Sequence, residues 1–301
     1  MKLFSILFLI THLLFSQEKK PPIIDVHLHI EVEIWARSKL CFPQPCDSPK
    51  TRDDILSSLD ELTIAEMDKN NIVLGVLSEY NFDNVIVWDK NYPKRFIKGI
   101  VVGDPKEANL ELIEKELQNK NLQVLGEITA QYFNYAIDDP ELEPYFELAS
   151  KYDVPVFVHV VGLGGDPNFP IELGNPMRLT KVLSKYPNMR LWMENGGWPY
   201  LNETIAIMYT YPNVYVDMST ITWIIPKLMF EKYLKGFIDA GLGKRIMFGS
   251  DQMLWPEVIS EAVQAIEGCE FLSEEQKRDI FYNNAARFFR LSNKEIKEHH
   301  K

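Results

Sequence analysis

The stretch Ile23-Ile24-Asp25-Val26-His27-Leu28-His29-Ile30 decides the fold. Its isoleucines, valine and leucine make a short apolar strand over 23–28, with polar residues threaded through it. Side chains two apart on a strand point the same way, so His27 and His29 share a face. Seven more short apolar runs follow, at 72–77, 96–101, 122–128, 154–160, 189–193, 214–217 and 245–248. Several are apolar almost throughout, as parallel strands covered on both faces are. Helical patterns lie between them. Segment 53–70 opens on acidic residues and repeats Ile55, Leu59, Leu62 and Met67. Segment 105–118 starts on Pro105 and continues with Leu110, Ile113 and Leu117. Segments 140–151, 176–185, 201–209, 227–240 and 256–267 keep the alternation, and 81–91 is the weakest of the helical patterns. Ser273 and Gln276 are spaced as a capping box ahead of a closing helix over 274–289.

Eight strands, each followed by a helix, predict an α/β fold: a (β/α)8 TIM barrel in a single domain over 18–301. A doubly wound open sheet is the other home for such an alternation. It is disfavoured because no G-x-G-x-x-G or Walker loop follows the first strand. The insertion 31–52 is expected over the carboxyl ends of the strands, where a barrel keeps its chemistry.

The 301 residues are 46% hydrophobic and 12% aromatic, ample for a large core and unlike a disordered chain. A formal charge of −11 excludes a general nucleic-acid binder, which needs a basic face. Three cysteines exclude a disulfide-dense scaffold and a zinc-ribbon array. Segment 1–17 places Lys2 ahead of an apolar run over 3–15, with a polar stretch from Ser16 onward. That is the layout of a cleaved signal peptide, and the run is shorter than the roughly 20 residues of a membrane span. The expectation is an exported protein, periplasmic or secreted, free of the membrane after cleavage. Its expected partner is a small-molecule substrate, and assembly into a homo-oligomer is left open. Export permits a disulfide between Cys41 and Cys46, with two free thiols as the alternative.

The chain has only six histidines. His12 falls in the leading segment, and His299 and His300 in the polar tail. His27, His29 and His159 remain, each at the end of an expected strand, and Asp251 follows the eighth. A lone histidine is ordinarily a satisfied core or surface residue. Three neutral imidazoles and a carboxylate at strand ends instead suit a borderline divalent ion, with zinc the first choice and one ion expected.

Asp25-Val26-His27-Leu28-His29 on strand one, His159 on strand five and Asp251 on strand eight resemble the amidohydrolase superfamily. More narrowly, the chain is similar to the amidohydrolase-related branch that includes aminocarboxymuconate-semialdehyde decarboxylase and related metal-dependent hydrolases. The resemblance spans about 23–291 and extends to the runs GGWPY at 196–200, NVYVDMST at 213–220, KRIMFGSDQMLWP at 244–256 and YNNAARFF at 282–289. It implies a TIM barrel whose metal activates water or polarises the substrate. His27, His29 and His159 match its metal ligands, and Asp251 matches its strand-eight acid. One departure stands out. The family usually carries a histidine near the end of strand six, where this chain has Glu194 and Asn195. That favours a single ion and leaves Glu194 or Glu127 to assist.

Glu127 ends the fourth strand, where binuclear relatives place a carboxylated lysine or a glutamate. It is read as a ligand, a general base, or a carboxylate bonded to a ligand histidine. Asp25 and Asp217 are read as groups that orient a neighbour. The expected reaction is metal-dependent hydrolysis of an amide, lactone or ester, with Asp251 moving the proton and Glu127 or Glu194 assisting. Arg37, Asn195, Trp198 and Trp255 are the expected substrate contacts. Two other readings stay open: a non-oxidative decarboxylase on the same scaffold, and a barrel that binds metal or ligand without catalysis.

Overall fold

The computed structural model describes residues 20–30, 58–164 and 168–301. The leading segment 1–17, the insertion 31–52, and Arg37, Cys41 and Cys46 within it lie outside the described residues. Eight strands are present: β1 Ile23–His29, β2 Ile72–Glu79, β3 Phe96–Val102, β4 Val124–Ile128, β5 Val156–Val158, β6 Leu191–Met193, β7 Val214–Asp217 and β8 Ile246–Met247. They pair in sequence order, every neighbour parallel. Three backbone hydrogen bonds carry the sheet round from its last strand to its first. Val26 N–H reaches Phe248 O, Asp251 N–H reaches His27 O, and His29 N–H reaches Gln252 O, each at 2.9 Å. The expected (β/α)8 barrel results, and the same bonds set Asp251 beside His27.

The helices are α1 Leu59–Lys69, α2 Phe82–Asn91, α3 Leu110–Gln118, α4 Glu143–Tyr152, α5 Leu179–Lys185, α6 Leu201–Thr210, α7 Lys227–Asp239 and α8 Val258–Glu267. The weakest pattern forms a helix after all. The side chain of Asn81 caps α2 by accepting the Asp83 N–H, and Phe82, Val85 and Trp88 bury one face. In contrast, α3 starts later than Pro105 suggests, because Asn109 takes the Leu112 N–H at 3.0 Å and fixes the cap there. The capping box of Ser273 and Gln276 is present, but the closing helix is interrupted by a π-turn over Asp279–Asn283. No helix among the described residues is long and apolar enough to cross a membrane.

One apolar core lies between strands and helices, and a second fills the barrel. The second takes Ile24 and Val26 from β1, Leu74 and Val76 from β2, and Ile97, Val124, Phe157, Trp192 and Met247 from later strands. Tyr215 of β7 packs against it, so all eight strands contribute. Phe157 stacks on Trp192 at 4.4 Å, and Phe288 meets Trp192 edge-on at 5.5 Å. Phe288 O also accepts from Arg190, just ahead of β6, so the C-terminal segment plugs the amino end of the barrel. The opposite end is left to polar groups.

Two local irregularities set those groups. In β1, Asp25 lies opposite Gly75 and Leu28 opposite Leu77, three residues spanning what two span on the partner. This bulge changes the facing. Ile24 and Val26 point into the barrel, Leu28 joins the outer core, and His27 reaches inward to meet the ring of Phe157 at 4.6 Å. In β4, Gly126 has φ +132°, and a Cβ there would stand 2.3 Å from the Phe157 carbonyl oxygen. That turn aims Glu127 at the histidines. Gly126→Ala is expected to destabilise the protein by at least the roughly 1–3 kcal/mol of a strained backbone position. Thermal unfolding checks it, and a G126A protein melting with the wild type would refute this account of β4.

Candidate metal centre

The carboxyl ends of the strands bring six of the expected residues together. His27 and His29 come from β1, Glu127 from β4, His159 from just past β5, Glu194 from just past β6, and Asp251 from just past β8. All six are buried. The Nε2 atoms of His27 and His29 face each other at 3.0 Å. Glu127 Oε2 stands 3.5 Å from the first and 3.3 Å from the second. Asp251 Oδ1 stands 3.2 Å and 3.5 Å from the same two nitrogens. His29 Nδ1 is engaged by the Ser78 carbonyl at 3.2 Å, which can only accept, so this nitrogen carries the proton and Nε2 the lone pair. Two ring nitrogens and two carboxylates thus converge on one point, an arrangement that calls for positive charge between them.

The titration behaviour of the protein without metal agrees. Burial pulls His27 down, but the charges of Asp251, Asp217 and Glu127 outweigh it and hold the imidazole well above its ordinary range. Positive charge is therefore favoured at the position where a cation would sit. The donor set fits a divalent ion: His27, His29 and Glu127 offer one ligand atom each within 4.8 Å of one another.

Glu127, His159 and Glu194 form a second such group that shares Glu127. Here Glu194 Oε1 is 3.0 Å from His159 Nε2. The two glutamates divide the charge. Burial works against Glu127, yet its bonds to His27 and His29 hold its carboxyl well below the usual range. Burial and then the charge of Glu127 push Glu194 well above it. Burial also drives His159 down to about 4. Of the two carboxyls Glu127 is thus the stronger acid, and Glu194, beside His159, is the one that holds a proton more readily. Gln131 holds His159 Nδ1 at 3.3 Å, and the rings of Tyr132 and Phe169 flank His159 at 4.8 Å and 5.6 Å.

The other expected residues sit further back. Asn195, at φ 51°, lies behind the histidines; its Oδ1 is 3.1 Å from Ser219 Oγ and accepts the Ile221 N–H at 3.3 Å, and its Nδ2 donates to Glu194 Oε1 at 3.3 Å. Trp198 is half-buried against the outer core, and Trp255 is half-buried in the loop after β8. Asp25 ties β1 to β8 through its Oδ1, which accepts from the backbone of His27 at 3.1 Å and of Ser250 at 3.0 Å. Burial pushes its carboxyl up to about 7. Asp217 accepts from Asn195 N–H at 3.0 Å and from Ser219 Oγ at 2.6 Å. Sequence reasoning passed over Ser219, Thr220, Gln131 and Ser78. The run Asp217-Met218-Ser219-Thr220 at a strand end was the available signal for the first two.

The sequence profile of the amidohydrolase family matches residues 24–291. Protein fluG of Emericella nidulans is 22% identical over 153 residues, 46% of this chain and 18% of that protein. The chain thus spans under a fifth of this relative's length. The 2-amino-3-carboxymuconate-6-semialdehyde decarboxylase of Dictyostelium discoideum is 24% identical over 247 residues, 71% of this chain and 67% of that protein. Among solved structures, 5-carboxyvanillate decarboxylase of Novosphingobium aromaticivorans, complexed with manganese, superposes with a TM-score of 0.63 at 16% identity. The alignment covers 90% of this chain and 96% of that one. A probable 2-pyrone-4,6-dicarboxylic acid hydrolase of Acinetobacter baumannii gives 0.62 at 14% identity, covering 89% and 99%. The profile match spans the barrel from the first strand to the C-terminal plug, and the chain belongs to the amidohydrolase family.

Proposed function

We propose that the protein is a metal-dependent hydrolase acting on an uncharged carbonyl compound: an ester, lactone or amide. One divalent ion, zinc by our reading, is held by His27, His29, Glu127 and Asp251. The observation that carries the substrate class is the sign of the site. The strongest charged neighbours of His27, Glu127, His159 and Glu194 are one another, His29, Asp217 and Asp251, and no lysine or arginine among the described residues is one of them. With the ion's two charges offset by Glu127 and Asp251, no cationic side chain remains beside it to pair with a substrate carboxylate, which suits a neutral carbonyl.

When bound, the ion supplies Lewis-acid stabilisation of charge developing on the carbonyl oxygen. The chain's own residues handle the protons. Asp251, at the edge of the same point, is the carboxylate that accepts one from the attacking water. Glu194, kept protonated beside His159, gives its own proton to the leaving group, and the proton taken up by Asp251 is passed on, through solvent, to restore Glu194. Glu127 stays ionised and balances the charge of the ion. Metal-free His27 holds a proton where the ion would sit, so binding displaces it. Zinc affinity is therefore expected to be high above the raised pKa of His27 and to be lost as pH falls through it, with about one proton released at neutral pH. Calorimetry in buffers of different ionisation enthalpy measures this, and a buffer-independent binding heat would contradict it.

Non-oxidative decarboxylation is the second reading, favoured by the decarboxylases among the relatives. The metal-loaded protein should be offered esters, lactones and amides in parallel with carboxylated aromatic and unsaturated acids. Acid release from the first set supports hydrolysis. Carbon dioxide from the second, with the first untouched, replaces it. Inertness to both sets favours a barrel that binds without catalysis.

A further inference from the structure

We propose that Ser219 and Thr220, neighbouring hydroxyls just past β7, are positioning residues that aim His27 and Asp251 at one point without reaching it themselves. The proposal rests on the reading that His27 and Asp251 hold a divalent ion. Adjacent in sequence, the two hydroxyls serve different elements. Ser219 Oγ is 3.0 Å from His27 Nδ1 on β1. Thr220 Oγ1 donates to Asp251 Oδ2 beyond β8.

The proton count at Ser219 decides what it does. Its hydroxyl has one proton and three polar neighbours: Asp217 Oδ1 at 2.6 Å, Asn195 Oδ1 at 3.1 Å and His27 Nδ1 at 3.0 Å. The two oxygens can only accept, so the hydroxyl proton goes to one of them, with Asp217 the nearer and the charged one. Ser219 Oγ is then an acceptor toward His27, and the imidazole must carry its proton on Nδ1. That leaves Nε2, the nitrogen facing His29, to the cation. Asp217 cannot do this alone, since its Oδ2 is 3.5 Å from Nδ1 and has no hydrogen-bond partner among the described residues.

Thr220 performs the matching task for Asp251. This aspartate has φ 53°, a left-handed conformation that needs its surroundings to hold it. With Oδ2 tied to Thr220, Oδ1 is the oxygen presented to both imidazoles. The turn carrying the two hydroxyls is itself pinned. Thr222 Oγ1 donates to Ser219 O at 2.6 Å, and Asn195 Oδ1 takes the Ile221 N–H at 3.3 Å. All four residues from Ser219 to Thr222 are buried.

The test uses the full chain stripped of metal and titrated with Zn2+ in competition with a chromophoric chelator. T220V and S219A are each expected to weaken Zn2+ binding by about 10- to 100-fold, the usual cost of losing a group that orients a ligand. T220S, which keeps the hydroxyl, should bind as the wild type does, a rescue that a purely packing role for Thr220 would not produce. T220A makes the same comparison if valine prevents folding. D251N separates the two levels of the account. A weakened D251N beside a T220V or T220A of wild-type affinity overturns the role of Thr220 and leaves the metal reading standing. An S219A of wild-type affinity overturns the role of Ser219. A D251N that binds Zn2+ as tightly as the wild type overturns the metal reading itself.

Discussion

Replacing His27 with alanine is expected to empty the metal site and abolish turnover together. His27 is the residue on which most of the centre converges: Glu127, Asp251 and His29 face its Nε2, while Ser219 and Asp217 face its Nδ1. Removing the ring deletes a ligand and leaves two carboxylates facing each other with less positive charge between them. The loss of Zn2+ affinity should exceed the roughly 100-fold that follows loss of an orienting group alone. H27A also loses the contact with Phe157, so its unfolding temperature should fall as well. Metal content per folded chain is therefore the quantity to compare. An H27A protein that retains metal at wild-type occupancy would remove the basis for the site.

The second large effect is expected at Glu194, and it separates proton transfer from metal binding. Glu194→Gln preserves the size of the side chain and a donor toward His159 Nε2, so the pair should stay in place. What it removes is the acid. The expected loss in kcat is about 10²- to 10⁴-fold, the range of a general acid, with Zn2+ affinity close to wild type. Loss of metal from E194Q, with activity restored by excess Zn2+, would make Glu194 a ligand and not the acid.

Much of this was legible in the sequence because the signals are local. A strand shows its period within six or seven residues, and eight such runs separated by amphipathic segments admit few architectures. The H-x-H pair at 27 and 29, and the placement of His159 and Asp251 at strand ends, needed only that periodicity. The bulge in β1 was not legible, because an extra residue is defined against its partner strand and leaves no mark on its own side. The turn at Gly126 is similar, since its requirement comes from the Phe157 carbonyl on the neighbouring strand.

The missing strand-six histidine illustrates the same boundary. The sequence places Glu194 and Asn195 at that point without dividing the labour between them. The structure gives them different tasks, with Asn195 in a left-handed conformation. Glu194 faces His159, while Asn195 donates to Glu194 from Nδ2 and turns its Oδ1 toward Ser219. Likewise Ser219 and Thr220 look like ordinary small polar residues until the barrel closes and brings β1 and the segment after β8 beside β7. Helix ends moved for a different reason. Pro105 and Asn109 are both valid start signals, and the one whose side chain reached a free amide set the start.

The most direct test of the account is diffraction from crystals grown with Zn2+, with data collected on both sides of the zinc absorption edge. The prediction is one anomalous peak per chain, lying between His27 Nε2, His29 Nε2, Glu127 and Asp251. No peak at that point, or a peak only between His159 and Glu194, would contradict it.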